Sequence, residues 1–117
     1  MSIDFVIIPI SDDFMDYCEK INTRLSNVSS VTVCVKIDES FNRPLQDRIN
    51  YWLEQSAEYE IITVGRKECQ NETINVRWSG ETKSKTINLD VFIDTVSSFE
   101  LDDNEKDTDN NNACVIN

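Results

Sequence analysis

The feature that most constrains this chain is the run Phe5-Val6-Ile7-Ile8-Pro9-Ile10. It is continuously apolar and short, and it starts almost at the N-terminus. A half-solvated strand alternates apolar and polar residues, whereas a strand covered on both faces does not. This run is therefore expected to be a central strand, which requires layers of helix on both sides of a sheet.

The rest of the chain supplies those layers. Ser11 stands at an N-cap position with Asp12 and Asp13 in the first turn, and Phe14, Cys18, Ile21 and Leu25 follow at helical spacing as far as Asn27. Val31, Val33, Val35 and Ile37 alternate with Thr32, Cys34 and Lys36, which predicts a half-buried second strand. Pro44 suits a helix's first turn, and Leu45, Ile49, Trp52 and Leu53 mark that second helix. Ile61 to Val64 reads as a third strand, ended by Gly65. Thr73 to Trp78 and Lys83 to Ile87 then predict two short strands, with tight turns around Asn71 and Ser79-Gly80 that are too short for crossover helices. Asn88 caps a third helix carrying Leu89, Phe92, Ile93 and Val96 on one stripe. The expected fold is α/β: a five-stranded mixed sheet with three helices, in the order βαβαβββα.

With 117 residues, 39% of them hydrophobic, there is room for one domain, expected over residues 1–100. Residues 101–117 hold little apolar surface and are expected to form an acidic disordered tail. No apolar stretch reaches the length of a membrane span, and Met1-Ser2-Ile3-Asp4 lacks the basic start of a signal peptide, so a cytoplasmic protein is expected.

Charge and residue types narrow the chemistry. Eleven basic against 22 acidic side chains give a net charge of −11, of which the last 17 residues carry −4. Such a body repels a phosphate backbone at long range, so any nucleic-acid contact must rest on a local basic patch and be salt-sensitive. The chain has no His, which removes the commonest general base and metal ligand. Asp12, Asp13 and Asp16 are explained by helix-dipole compensation, and no nucleophile or phosphate loop accompanies them. No catalytic residue, metal site or cofactor is expected. Cys18, Cys34, Cys69 and Cys114 form no C-x-x-C pair, and Cys18 and Cys34 are expected to be small buried hydrophobes. Cys114-Val115-Ile116-Asn117 has the C-a-a-X form, which makes Cys114 a candidate lipidation site and allows a membrane partner only if it is prenylated.

Seven strings in order carry a resemblance. They are Val6-Ile7-Ile8-Pro9-Ile10, Asp16-Tyr17 with a trailing Leu25, a strand leading into Asp38, and Arg48-Ile49 on a helix. Next come Ile61-Ile62-Thr63-Val64-Gly65-Arg66-Lys67-Glu68, Thr73-Ile74-Asn75-Val76-Arg77, and Thr86-Ile87-Asn88-Leu89-Asp90-Val91-Phe92-Ile93. Together they resemble the anticodon-binding domain of class II aminoacyl-tRNA synthetases, most of all that of threonyl-tRNA synthetase, from about Phe5 to Phe99.

The resemblance implies a surface that reads unstacked bases of an RNA loop with side chains of the later strands and turns. Here that surface would hold Arg66, Lys67, Arg77, Lys83 and Lys85 against Glu68, Glu72 and Glu81, with Arg77 forking onto a base edge or phosphate. Trp78 is a candidate stacking face, although strand alternation puts it opposite Arg77. The family's second Arg is Ser79 here, the acid before its turn is Gln70, and the Gly opening its second helix is Gln46, so recognition through those groups does not carry over. The function expected is a non-catalytic, stand-alone anticodon-binding-like domain that binds tRNA or a related RNA loop. The alternative is an acidic interaction module docking on a synthetase or another translation factor.

Overall fold

The structure is a computed structural model that describes residues 2–55 and 58–99. Five strands, β1 (Ser2–Pro9), β2 (Thr32–Ile37), β3 (Glu60–Val64), β4 (Thr73–Arg77) and β5 (Lys85–Asn88), form one sheet in the order β2-β1-β3-β4-β5. β1 runs parallel to β2 and β3, whereas β4 runs antiparallel to β3 and β5, so the sheet is mixed as expected. The helices are α1 (Met15–Ser26), α2 (Leu45–Leu53), α3 (Arg66–Asn71) and α4 (Leu89–Ser97), with a short 3-10 turn at Asp12–Phe14 leading into α1. Among the described residues no helix is long and apolar enough to cross a membrane.

The apolar run does what its composition requires. Phe5, Val6, Ile7 and Ile8 are each 0% exposed, and burying each such side chain contributes about 1.5–3 kcal/mol. Their alternation divides the core. Phe5 and Ile7 face α1 and α4 together with Cys18, Ile21, Leu25, Ile62, Ile74, Val76, Leu89 and Phe92. Val6 and Ile8 face α2, where with Ile61 they make a much smaller cluster under Leu45, Ile49, Trp52 and Tyr59.

Two local features differ from the sequence reading. The link between β3 and β4 is a helix, α3, where a tight turn around Asn71 was expected, which brings the helix count to four. Glu68 accepts a hydrogen bond from the Gly65 N–H at 2.7 Å and starts that helix, and Glu72 ends it at φ 53°. Cys34 is exposed, contrary to the expectation that it is buried. It shares with Thr32 and Lys36 the side of edge strand β2 that α2 leaves bare. The tail expected over 101–117 lies outside the described residues.

Capping agrees with the sequence more closely. The Ser11 hydroxyl accepts from the Asp13 N–H, and the Asn88 side chain accepts from the N–H groups of Asp90 and Val91. The Tyr17 hydroxyl donates to the Thr73 carbonyl at 2.7 Å and ties α1 to the start of β4. Burial, followed by the nearby Cys69, Glu72 and Glu68, pushes its pKa upward, so it stays a donor. Cys18 is likewise pushed up to about 12 by burial, which makes it an inert core thiol.

Candidate nucleic-acid interface

The side of the sheet that faces α2 is only partly covered, and this creates the site. α2 reaches β1 and the start of β3. Beyond it, β4 and the β4–β5 hairpin extend the sheet without a helix on that face. The result is an open groove of about 490 Å³. Its floor is Ile61, Thr63, Asn75 and Arg77, one wall is Leu45, Gln46 and Ile49 of α2, and the other is Thr82, Lys83 and Ser84 of the hairpin. The floor is a product of strand alternation. Ile62, Ile74 and Val76 are buried on the α1 and α4 side, so Thr63, Asn75 and Arg77 must point the other way.

Arg77 is held in position through one side of its guanidinium while the other end stays open. Its Nε donates to the Glu81 carbonyl across the hairpin at 3.0 Å, and among the described residues the terminal Nη groups have no protein acceptor. A guanidinium anchored through Nε presents two parallel donors, the geometry that matches a phosphate or the edge of a guanine. Lys83 supplies a second positive charge on the facing wall. The hairpin turns at Gly80, whose φ of 86° favours a residue without a side chain.

The other candidate residues lie around this groove in different ways. Lys85 is exposed and pairs with Val76 across the ladder, so the pleat directs it toward the α1 and α4 side of the hairpin. Arg66 and Lys67 are exposed at the start of α3. They lie beyond the Val64 end of β3, whereas Arg77 pairs with Ile61 near the opposite end, a separation of roughly 15 Å along the sheet. The five cations thus form two groups, one at each end of β4. Among the described residues none of the five takes part in an ion pair.

Trp78 does not join them. Its ring packs 5.8 Å from Phe92, 6.4 Å from Phe5 and 6.0 Å from Phe99, on the core side of the sheet. This placement agrees with the alternation that puts it opposite Arg77, and it makes Trp78 the brace of the hairpin. Ser79, where a second Arg would extend a basic surface, is tied to carboxylates. Its N–H donates to Glu60 at 2.5 Å and its hydroxyl to Glu58 at 3.1 Å. Cys114 lies outside the described residues.

Sequence reasoning missed Thr63, Asn75 and Gln46 as groove residues. The signal was present for Asn75, a polar member of the apolar-polar alternation in β4, whereas Thr63 follows two consecutive apolar residues in β3. Gln46 shows no such signal, because its exposure in the groove depends on where α2 stops covering the sheet.

The sequence matches the anticodon binding domain family over residues 4–99. The chain belongs to that family. It is 30% identical over 95 residues to a threonine-tRNA ligase of Bacillus velezensis, a match that covers 78% of this chain and 14% of the ligase. It is 32% identical over 91 residues to a protein of Metallosphaera sedula named as a threonine-tRNA ligase catalytic subunit, covering 78% and 16%. The chain thus spans about a seventh of the length of these relatives. Among solved structures, prolyl-tRNA synthetase of Cryptosporidium parvum shares the fold with a TM-score of 0.71 at 17% identity, over 86% of this chain and 21% of that one. The RNA binding domain of threonyl-tRNA synthetase from Cryptosporidium parvum Iowa II superposes with a TM-score of 0.64 at 15% identity, over 82% and 23%. These likenesses agree with the expected resemblance and with the mixed five-stranded sheet.

Proposed function

We propose that this chain is a non-catalytic RNA-binding domain that takes tRNA, or a related RNA loop, in the groove between α2 and the β4–β5 hairpin. The observation that carries the reading is Arg77. It is the basic residue of the family's Val-Arg strand, fixed by its own hairpin, with its terminal donors open to a polar groove that Lys83 flanks. Thr63 and Asn75 beside it can donate to and accept from the edge of an unstacked base. Arg66, Lys67 and Lys85 would track the backbone on either side of the bound base. Trp78 would contribute by holding the hairpin against Phe92 rather than by stacking on RNA. A cytoplasmic location, where tRNA is used, belongs to the same reading.

Binding of this kind is positioning by charge and hydrogen bonds, so its salt dependence is its signature. Unfractionated tRNA should bind the full chain more weakly as salt rises, and Arg77→Ala should lower affinity about tenfold or more. Fluorescence anisotropy at two salt concentrations measures both. Equal binding by the two proteins at low salt would remove the groove from the account.

The net charge of −11 favours a second reading, in which the domain docks on a basic protein such as a synthetase or another translation factor. The side chains of Tyr51 and Leu53 on α2, about 45% exposed, would suit such a contact. Capture of a defined partner that Tyr51→Ser weakens and Arg77→Ala leaves intact would favour this reading over the first.

A further inference from the structure

β4 ends at Arg77, whose ladder partner is Ile61, and the chain then reverses in a β-turn. The Glu81 N–H donates to the Trp78 carbonyl at 3.0 Å, and Gly80 takes the third position with a φ of 86°, as a type II turn requires. The same turn supplies the carbonyl that holds Arg77, since the Arg77 Nε donates to Glu81 at 3.0 Å. Whatever fixes residues 78–81 therefore fixes the direction of the open guanidinium end. At the second position of such a turn the backbone N–H has no partner within the turn. Here that N–H belongs to Ser79 and reaches Glu60 on β3 at 2.5 Å, while the Ser79 hydroxyl reaches Glu58 at 3.1 Å. Two carboxylates thus grip one turn residue.

We propose that Glu60, assisted by Glu58, is a positioning residue for the groove: by gripping Ser79 it holds the turn, and through the Glu81 carbonyl it aims the Arg77 donors. Three observations carry this. The hydrogen bonds and the turn form a continuous path from Glu60 through Ser79 and Glu81 to Arg77. That path lies outside the β3–β4 ladder, which ends at Arg77. The carboxylates also stand where their charge is unfavourable. Burial, reinforced by Glu58 and Asp4, pushes the Glu60 pKa up, and negative charge under the groove's hairpin opposes a phosphate backbone. A carboxylate whose charge disfavours both fold and ligand is accounted for by its oxygen as an acceptor. Ser79, where the resembled family has a second Arg, serves here as the anchor of the first. The effect on RNA rests on the reading proposed above, whereas the hold on Arg77 does not.

The full chain tests this with and without RNA. In proton–nitrogen correlation spectra the Arg77 Nε–H and the Glu81 N–H report two links of the path directly. Glu60→Ala should speed their hydrogen exchange about tenfold, whereas Glu60→Gln, which keeps an acceptor, should leave both as in the parent. Unchanged exchange in Glu60→Ala would overturn the proposal. With unfractionated tRNA the sign decides. Charge alone predicts that Glu60→Ala and Glu60→Gln both tighten binding. Positioning predicts that Glu60→Ala weakens it about fivefold, that Glu60→Gln does not, and that Glu60→Ala has no further effect on Arg77→Ala. Tighter binding by Glu60→Ala, or an equal loss in the Arg77→Ala background, would sink the proposal. Ser79→Pro is the second variant. Proline suits that turn position and removes both gripped groups, so it should reproduce the Glu60→Ala loss with the carboxylates untouched. If the parent binds no tRNA while the exchange result holds, the grip on Arg77 stands and the RNA reading falls. If binding depends on Arg77 but not on Glu60 or Ser79, the RNA reading stands and the positioning role falls.

Discussion

Asp38 and Glu60 are both carboxylates drawn in at strand ends, yet their surroundings drive them in opposite directions. Burial raises the pKa of each. At Asp38, 7% exposed, this is outweighed by hydrogen bonds from the hydroxyl and backbone N–H of Ser40, from Trp52 Nε1 at 2.6 Å and from Arg48 Nε at 3.2 Å, and the group is held below its ordinary range. Glu60 receives one backbone N–H, from Ser79, while Glu58 and Asp4 add to burial, so it is held above. The number of donors, rather than depth, decides which carboxylate stabilises the fold at neutral pH. The Asp38 site ties the end of β2 to α2, with Arg48 at 1% exposure and Phe41 stacked over its guanidinium. The Glu60 site lies under the hairpin that lines the groove.

The strongest way to break this comparison is Arg48→Met. It leaves the Asp38 charge buried without its cation, and urea unfolding should show a loss of about 3–5 kcal/mol. A loss below about 1 kcal/mol would mean that the Ser40 and Trp52 donors suffice alone.

Acid titration gives the next largest effect. Asp38 is depressed in the folded protein, so its contribution is complete above the unfolded value of about 4 and is lost as pH falls toward the folded one. Asp38→Asn should flatten that part of the stability profile. Glu60 has the reverse sign: its cost is absent below about pH 4.5 and grows as pH rises through its folded value. Glu60→Gln keeps an acceptor for Ser79 and removes the charge. It should therefore stabilise the protein by about 0.5 kcal/mol at pH 7, with no gain in acid. Destabilisation at pH 7 would show that Ser79 requires a charged acceptor.

The sequence made the fold legible wherever burial imposes a period. β1 was readable because both of its faces are covered, and α4 because Asn88 caps a clean apolar stripe. α3 was not, since six residues hold no full apolar repeat; the spacing of Gly65 and Glu68 was its one visible trace. Cys34 was misjudged because alternation shows which residues share a face, and only the position of α2 shows whether that face is covered. For the site, Arg77 and Lys83 were found from the sequence and meet on one groove. The distance to Arg66 and Lys67 depends on the direction of β4, and the Asp38 network joins residues from separate elements through geometry that no periodicity encodes.

The strand order has a consequence for how the chain emerges during synthesis. β1 is the most apolar strand and appears first, but its neighbours in the sheet arrive only with Thr32 and Glu60. A nascent chain that has passed β2 but not β3 presents one open flank of Phe5 to Pro9 to its surroundings, a segment suited to pairing with other unfinished chains. Holding the emerged chain between β2 and β3 should therefore lower the soluble yield more than the same delay once β4 has emerged.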